Sequence, residues 1–261
     1  MSRRLPAFLV FAATLAFLVA ACGGGSAGPA LTDPKEIVTA ALKSTEAAKS
    51  VHVDIAVDGK ATVAMPGGSG TGVPVNLTGT TASADIDFVK KAAKATFSVP
   101  ALFNFAGELI AVDGKVYLKT TLTGPLYQES TAGTAPVDPS NVRGMFDNLG
   151  DLLLKQGVVL VKGDDVACGT KQCYTVSADL TAKDLGTAGT GAIGVLPVDL
   201  TGASLKLTMR VEKDLPYHLA GVTAVLSMPS GSSVTAEVTA SKWDESVSIS
   251  APPADQVKPG T

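Results

Sequence analysis

Aromatic side chains and histidines are scarce in this 261-residue chain. Phenylalanine, tyrosine and tryptophan make up 5% of it, with one tryptophan, Trp243, and two histidines, His52 and His218. Sugar-binding sites usually present clustered aromatic rings, so the scattered rings here disfavour a carbohydrate site. His52 lies on the polar side of a predicted strand and His218 at the start of another, so both are interpreted as surface residues and not as ligands or bases.

Signatures of catalysis are also missing. No Gly-x-Ser-x-Gly nucleophile motif occurs. Residues 189–194 fit the letters of the dinucleotide-binding motif Gly-x-Gly-x-x-Gly, but that site needs a strand before it and a helix after it, whereas Pro197 and a strand follow here. The adjacent acids Asp164 and Asp165 are typical of a solvated hairpin and not of a calcium site. We therefore expect no enzymatic activity, no cofactor and no metal.

A long basic stretch is absent as well. The chain has 21 basic and 24 acidic residues and a formal net charge of −3, which becomes −5 if Arg3 and Arg4 are removed with a leader. Nucleic-acid-binding proteins need a basic patch, so nucleic acid is excluded as a partner. Anionic lipid would attract this domain only weakly by charge. Membrane contact is instead expected from an anchor and from apolar groups.

Cysteine is rare, and two of the three cysteines lie close together. Cys168 and Cys173 flank residues 169–172. Outside the cytoplasm such a pair is expected to form a disulfide, which would contribute about 2 kcal/mol for so short a loop. The alternative is a redox or metal pair. The spacing is not that of a Cys-x-x-Cys redox motif, and no second ligand pair for zinc is present.

The N-terminus has the three-part layout of a signal peptide. Arg3 and Arg4 precede an uncharged, mostly apolar run over residues 5–21, and Leu18-Val19-Ala20-Ala21-Cys22 ends it. This ending resembles the bacterial lipobox, which implies cleavage after residue 21 and acylation of Cys22, with palmitate as the expected acyl group. The alternative, an uncleaved membrane anchor, is disfavoured because the run is marginally short. The Gly/Ser-rich residues 22–32 are expected to form a flexible tether.

The rest of the chain alternates between two periodicities. Asp33-Pro34 is expected to begin a helix that runs to about Lys49, and Asp138-Pro139 begins a second amphipathic helix. Between and after them, apolar and polar residues alternate with period two, which predicts nine to eleven strands. Asp113-Gly114 is the strongest short hairpin signal.

These elements predict an α+β fold over residues 33–261. Short links make neighbouring strands antiparallel, and a sheet of that width curls. The fold class is therefore a single curled antiparallel β-sheet, or half-barrel, with helices that cover its concave face. Two short helices fill such a face incompletely, so a hydrophobic cavity is expected between sheet and helices.

The organisation resembles the mycobacterial LppX/LprG-type lipoproteins over essentially the whole mature chain. The resemblance is carried by Cys22, the helix over residues 33–49, Val73-Pro74-Val75, Leu196-Pro197-Val198 and residues 247–255. It implies a half-barrel like that of the periplasmic lipoprotein carriers. It also implies a cavity that holds acyl chains of lipids or glycolipids and a role in moving them within the cell envelope.

The predicted function is therefore a non-catalytic, membrane-anchored lipid carrier. It would be a monomer on the extracytoplasmic side of the cell membrane, with a membrane transporter as a candidate partner. The alternative is a structural or interaction lipoprotein with a filled core, and a two-lobed solute receptor is disfavoured by the single sheet. The predicted ligand-binding side chains are Val53, Ile55, Ala84, Ile86, Phe97, Val116, Leu118, Phe146, Leu149, Leu153, Leu205, Leu207, Met209, Val222 and Leu226.

Overall fold

The structure is a computed structural model that describes residues 28–63, 73–131, 139–184, 202–229 and 231–258. The predicted leader, the predicted anchor Cys22, the motif at residues 189–194 and the segment Leu196-Pro197-Val198 lie outside the described residues.

The described part of the chain contains two α-helices and thirteen strands. The helices are α1 (Pro34–Ala47) and α2 (Pro139–Leu154), and a 3-10 turn spans Ala254–Gln256. The strands are β1 (Ser50–Val63), β2 (Val73–Asn76), β3 (Thr80–Asp87), β4 (Ala92–Val99), β5 (Phe105–Val112), β6 (Lys115–Thr120), β7 (Gln128–Thr131), β8 (Leu160–Lys162), β9 (Val166–Cys168), β10 (Lys171–Thr181), β11 (Ser204–Glu212), β12 (Leu219–Ser227) and β13 (Ser233–Ser241).

All strands belong to one antiparallel sheet. Its order is β7-β6-β5-β4-β3-β1-β13-β12-β11-β10-β8, with β2 paired to β1 and β9 paired to β10. The sheet is not closed, because β7 and β8 end the path, and the predicted fold class is confirmed. The first and last strands are neighbours in the middle, where His52 pairs with Ser241 and Gly59 with Val234.

Local sequence signals explain where several elements begin and turn. The Asp33 side chain accepts a hydrogen bond from the Lys35 N–H at 2.8 Å and so caps α1, and Pro34 occupies the first turn. Asp113 and Gly114 both have positive φ, 53° and 73°. Such a pair suits the tight turn between β5 and β6, so the predicted hairpin is confirmed.

One face of the sheet carries most of the apolar side chains, and the helices cover one half of it. α1 packs on β8, β10, β11 and β12, and α2 packs on α1. Ile37 and Val38 of α1 are fully buried against a core that includes Leu207, Met209 and Val211. The main hydrophobic core therefore lies between α1 and the β8–β12 half.

The two remaining cysteines form the predicted disulfide. Cys168 and Cys173 are bonded across the β9–β10 turn, with a Cα–Cα distance of 5.9 Å. The described residues contain no group of three or more His, Cys, Asp or Glu side chains that could hold a metal ion.

Among the described helices, none combines the length and hydropathy that a membrane span requires.

Candidate functional site

The apolar face of β1, β3, β4, β5 and β6, which we call the open half, lies beside the helix-covered core. One row across it runs in register from Val53 to Ala84, Ala95, Leu109 and Leu118. Small alanine side chains occupy the centre of this row, so the surface is lower there than at its flanks. Because the main helix contacts of the described chain fall on the other half, the alanines and Leu118 are only half-buried.

An aromatic pair lies at one end of the open half. The rings of Phe97 and Phe105 have centroids 5.4 Å apart, and both side chains are half-buried. The Phe97 ring lies over Gly107, where a Cβ atom would come within 2.6 Å of the ring and of the Lys119 carbonyl oxygen. Gly107 is therefore required for Phe97 to lie flat on the sheet.

Helix α2 borders the open half at the end of β3, opposite the end that carries the Phe97–Phe105 pair. The Arg143 guanidinium stacks on the Phe88 ring at 4.6 Å and donates a hydrogen bond to the Ala48 carbonyl oxygen at 2.9 Å. Gly150 lets α2 approach α1 closely, because a Cβ atom there would lie 2.7 Å from Leu42. These contacts fix α2 along the edge of α1, next to the end of β3.

The structure places the fifteen predicted ligand-binding residues in two groups. Eight belong to the core under α1 or pack against it: Phe146, Leu149, Leu153, Leu205, Leu207, Met209, Val222 and Leu226. Seven lie on the open half: Val53, Ile55, Ala84, Ile86, Phe97, Val116 and Leu118. Contact with a ligand stays a prediction for all of them. Only the second group lies outside the helix-covered core, and three of its members, Val53, Ile86 and Val116, are themselves buried at 7%, 3% and 1% exposure.

A cavity of about 420 Å³ lies on the opposite, polar face of the sheet, between β13, β1, β3 and β4. Asp54, Ser83, Thr96, Glu237 and Thr239 line it, and two of the predicted ligand-binding residues, Ile55 and Phe97, also border it. Hydroxyl and carboxylate groups do not suit hydrocarbon, since they would lose hydration without gaining partners. The sequence predicted a cavity on the apolar side, so this one differs from the expectation in place and in chemistry.

The polar face is crossed by ion pairs. His52 contacts Asp85 through Nδ1 at 2.7 Å and Asp54 through Nε2 at 3.2 Å, so it is a half-buried bridging residue and not a plain surface histidine. Burial raises the pKa of Glu108, but hydrogen bonds from Lys94, Tyr127 and Lys119 outweigh it and hold that pKa below its usual value.

His218 is buried, which corrects the prediction that it lies on the surface. Its Nδ1 is 2.7 Å from the Ser44 hydroxyl of α1, and its ring stacks on Trp243 at 4.9 Å. Burial lowers the pKa of His218. Nε2 lies 3.8 Å from Asp244. Ser44 is only 6% exposed, on the face of α1 that packs on the sheet, so no substrate can reach its hydroxyl. The group instead joins α1 to the sheet, and the sequence missed it because its partners are far apart in the chain.

Comparisons with known proteins agree on one family. The chain matches the LppX_LprAFG lipoprotein family over residues 33–249. Lipoarabinomannan carrier protein LprG of Mycobacterium tuberculosis is 26% identical over 261 residues, which covers 95% of this chain and 94% of that protein. LprG of Mycobacterium bovis gives the same values.

Two solved structures share the fold. LprF from Mycobacterium bovis superposes with a TM-score of 0.57 at 18% identity, over 84% of this chain and 96% of that chain. LppX from Mycobacterium tuberculosis gives a TM-score of 0.52 at 18% identity, over 83% and 98%. The chain therefore belongs to the LppX_LprAFG lipoprotein family, as the sequence resemblance predicted.

Proposed function

We propose that this member of the LppX_LprAFG family is a carrier that binds acyl chains of lipids or glycolipids on the open half and moves them within the cell envelope. The observation that carries this is the position of the open half, an apolar surface next to the helices that α1 does not fill. A relative named as a lipoarabinomannan carrier supports the class of ligand.

The energetics of such a surface suit reversible transfer. Each methylene that moves from water onto an apolar surface contributes about 0.8 kcal/mol. A chain taken from a bilayer gains nothing from this term, because it was already out of water. Transfer between membrane and protein is then near neutral, as a carrier requires.

The proposal includes a fixed location. Residues 1–21 are the leader, acylated Cys22 anchors the protein in the cell membrane, and residues 22–32 tether the domain on the extracytoplasmic side. The domain acts as a monomer without catalysis, and a membrane transporter is the candidate source of its lipid.

Solvent extraction followed by mass spectrometry tests the carrier proposal. The purified protein should release stoichiometric lipid. Ala84→Leu should reduce that amount, because the larger side chain fills the low row of the open half. The matched control is Ala56→Leu, since Ala56 is on β1 and lines the cavity on the opposite, polar face. Absence of bound lipid, or loss of lipid only in Ala56→Leu, would contradict the proposal.

One observation favours the alternative of a structural lipoprotein with a filled core. Under α1 the apolar side chains pack as a continuous cluster, with Met209 and Val211 at 1% and 0% exposure. If the open half is likewise covered in the native envelope, the same extraction yields protein without lipid.

A further inference from the structure

We propose that two neighbouring loops at one end of the sheet form an apolar tip that inserts into a lipid surface. The loops span residues 100–104, between β4 and β5, and residues 121–126, between β6 and β7. The inference does not depend on lipid carriage, because it concerns a contact made by the outside of the domain.

The tip is exposed to an unusual degree for its chemistry. Phe103 is 99% exposed, Leu122 is 79% exposed and Leu102 is 49% exposed. Large apolar side chains that are grouped on a protein surface indicate a contact with a membrane or a partner. No packing within the described chain accounts for Phe103.

Hydrogen bonds hold the tip in this outward arrangement. Phe103 and Asn104 both have φ of 54°, a left-handed conformation that is uncommon for a bulky residue. The Asn104 N–H donates to the Pro100 carbonyl oxygen at 3.1 Å, and the Phe105 N–H donates to that of Leu102 at 3.0 Å. The ring is therefore presented by a folded loop.

The second loop is hydrogen-bonded to the start of β5, directly after the first loop. The Thr121 N–H donates to the Ala106 carbonyl oxygen at 2.9 Å, and the Ala106 N–H donates to the Thr121 hydroxyl at 3.4 Å. Thr120 and Thr123 close the second loop through their hydroxyls, 3.1 Å apart. Because β5 and β6 are neighbours in the sheet, Phe103 and Leu122 lie in adjacent loops at the same end of it.

The absence of charged residues from the tip indicates which kind of surface it fits. Residues 95–107 and 120–128 contain no Asp, Glu, Lys or Arg. The turn at the other end of β4, residues 87–91, contains Asp87, Lys90 and Lys91. An uncharged tip of Phe, Leu, Pro and Thr on an acidic domain suits the apolar layer of a bilayer and gains nothing from anionic headgroups.

The tip lies far from the expected anchor. Near the start of the domain, Tyr217 donates to the Pro29 carbonyl oxygen at 2.9 Å and the Leu31 N–H donates to Tyr174. Those contacts are at the end where β12 begins, whereas the tip is where β4 ends, a strand length of about 27 Å away. The tip therefore gives a second membrane contact, separate from acylated Cys22.

A fluorescent label tests this directly. Phe103→Cys in the full-length protein with Cys22→Ser, which removes the expected anchor and its thiol, is labelled with the environment-sensitive dye NBD and mixed with phosphatidylcholine vesicles. The matched control is Val89→Cys, which is 71% exposed and lies at the opposite end of β3 and β4. Both side chains are exposed, so neither change should disturb folding.

The emission of the label at position 103 should shift to shorter wavelength and become several-fold brighter. Lipids that carry a quencher in the acyl chain should quench it. The label at position 89 should stay unchanged. Vesicles with anionic phosphatidylglycerol should give the same response as neutral ones. Adding Leu102→Ser and Leu122→Ser should weaken insertion about tenfold or more for each leucine.

Two results would overturn the proposal. One is a label at position 103 that stays in water with both kinds of vesicle, which would leave the tip to a protein partner. The other is a response that requires anionic lipid, which would show attraction by charge. Extraction of lipid from the protein plays no part in either result.

Discussion

Matched leucine truncations on the two halves of the apolar face should separate packing from binding. Leu207 is 5% exposed in the core under α1, whereas Leu118 is half-buried on the open half. Leu207→Ala should cost about 2–5 kcal/mol, because it removes buried methyl groups and leaves a cavity in a packed core. Leu118→Ala should cost about 1 kcal/mol, since roughly half of its transfer free energy is realised.

The assay is urea unfolding of delipidated protein, followed by the fluorescence of the single Trp243. This ring packs against both the main core and the cluster around Val53, so its emission reports loss of the whole sheet. For a domain of this size, each kcal/mol lowers Tm by about 2–4 °C. The order of the two variants should be reversed for lipid retention. Leu118→Ala should reduce the amount of bound lipid, whereas Leu207→Ala should keep it. Equal costs, or a larger cost at Leu118, would refute the division into core and open half.

Three further predictions follow from single contacts. His218 has a pKa held below its ordinary 6.5 by burial, so the unfolded chain takes up the proton first and stability falls as pH drops below about 6.5. His218→Gln should flatten the unfolding free energy between pH 7.5 and 5, and an unchanged slope would contradict the assignment. Replacing Cys168 and Cys173 by serine should lower the unfolding free energy by about 2 kcal/mol in chemical denaturation, while lipid binding is kept. Gly107→Ala should displace the Phe97 ring, cost about 1–3 kcal/mol and reduce extractable lipid, so a variant with native stability and lipid content would argue against that contact.

Much of the fold could be predicted because its signals are local. The cap at Asp33, the turn at Asp113-Gly114 and period-two alternation each depend on adjacent residues. The sequence predicted nine to eleven strands, and the described chain has thirteen. Short strands such as β2 and β9 were missed because three or four residues carry too little periodicity.

Pairing between distant segments could not be predicted. The position of β1 between β3 and β13 joins the two ends of the chain. The burial of His218 depends on Ser44 and Trp243, which come from separate elements. Each of these contacts requires tertiary information that no local pattern contains.

The sequence predicted which face of the sheet carries the candidate site, but not how much of that face the helices leave uncovered. Alternation assigned Leu118 and Leu207 to the same apolar face, and the register from β11 across to β6 confirms this placement. It could not tell which half the helices cover, because that depends on contacts such as Arg143 with Phe88 and Ser44 with His218. The sequence therefore treated core and open half as one lining.

Photo-crosslinking with a lipid that carries a diazirine in its acyl chain tests the central claim most directly. Adducts mapped by peptide mass spectrometry should fall on the apolar face of β1 and β3–β6, at residues such as Ala84, Ala95 and Leu118. Adducts confined to the polar-face cavity around Asp54 and Thr96, or no adducts at all, would contradict the account.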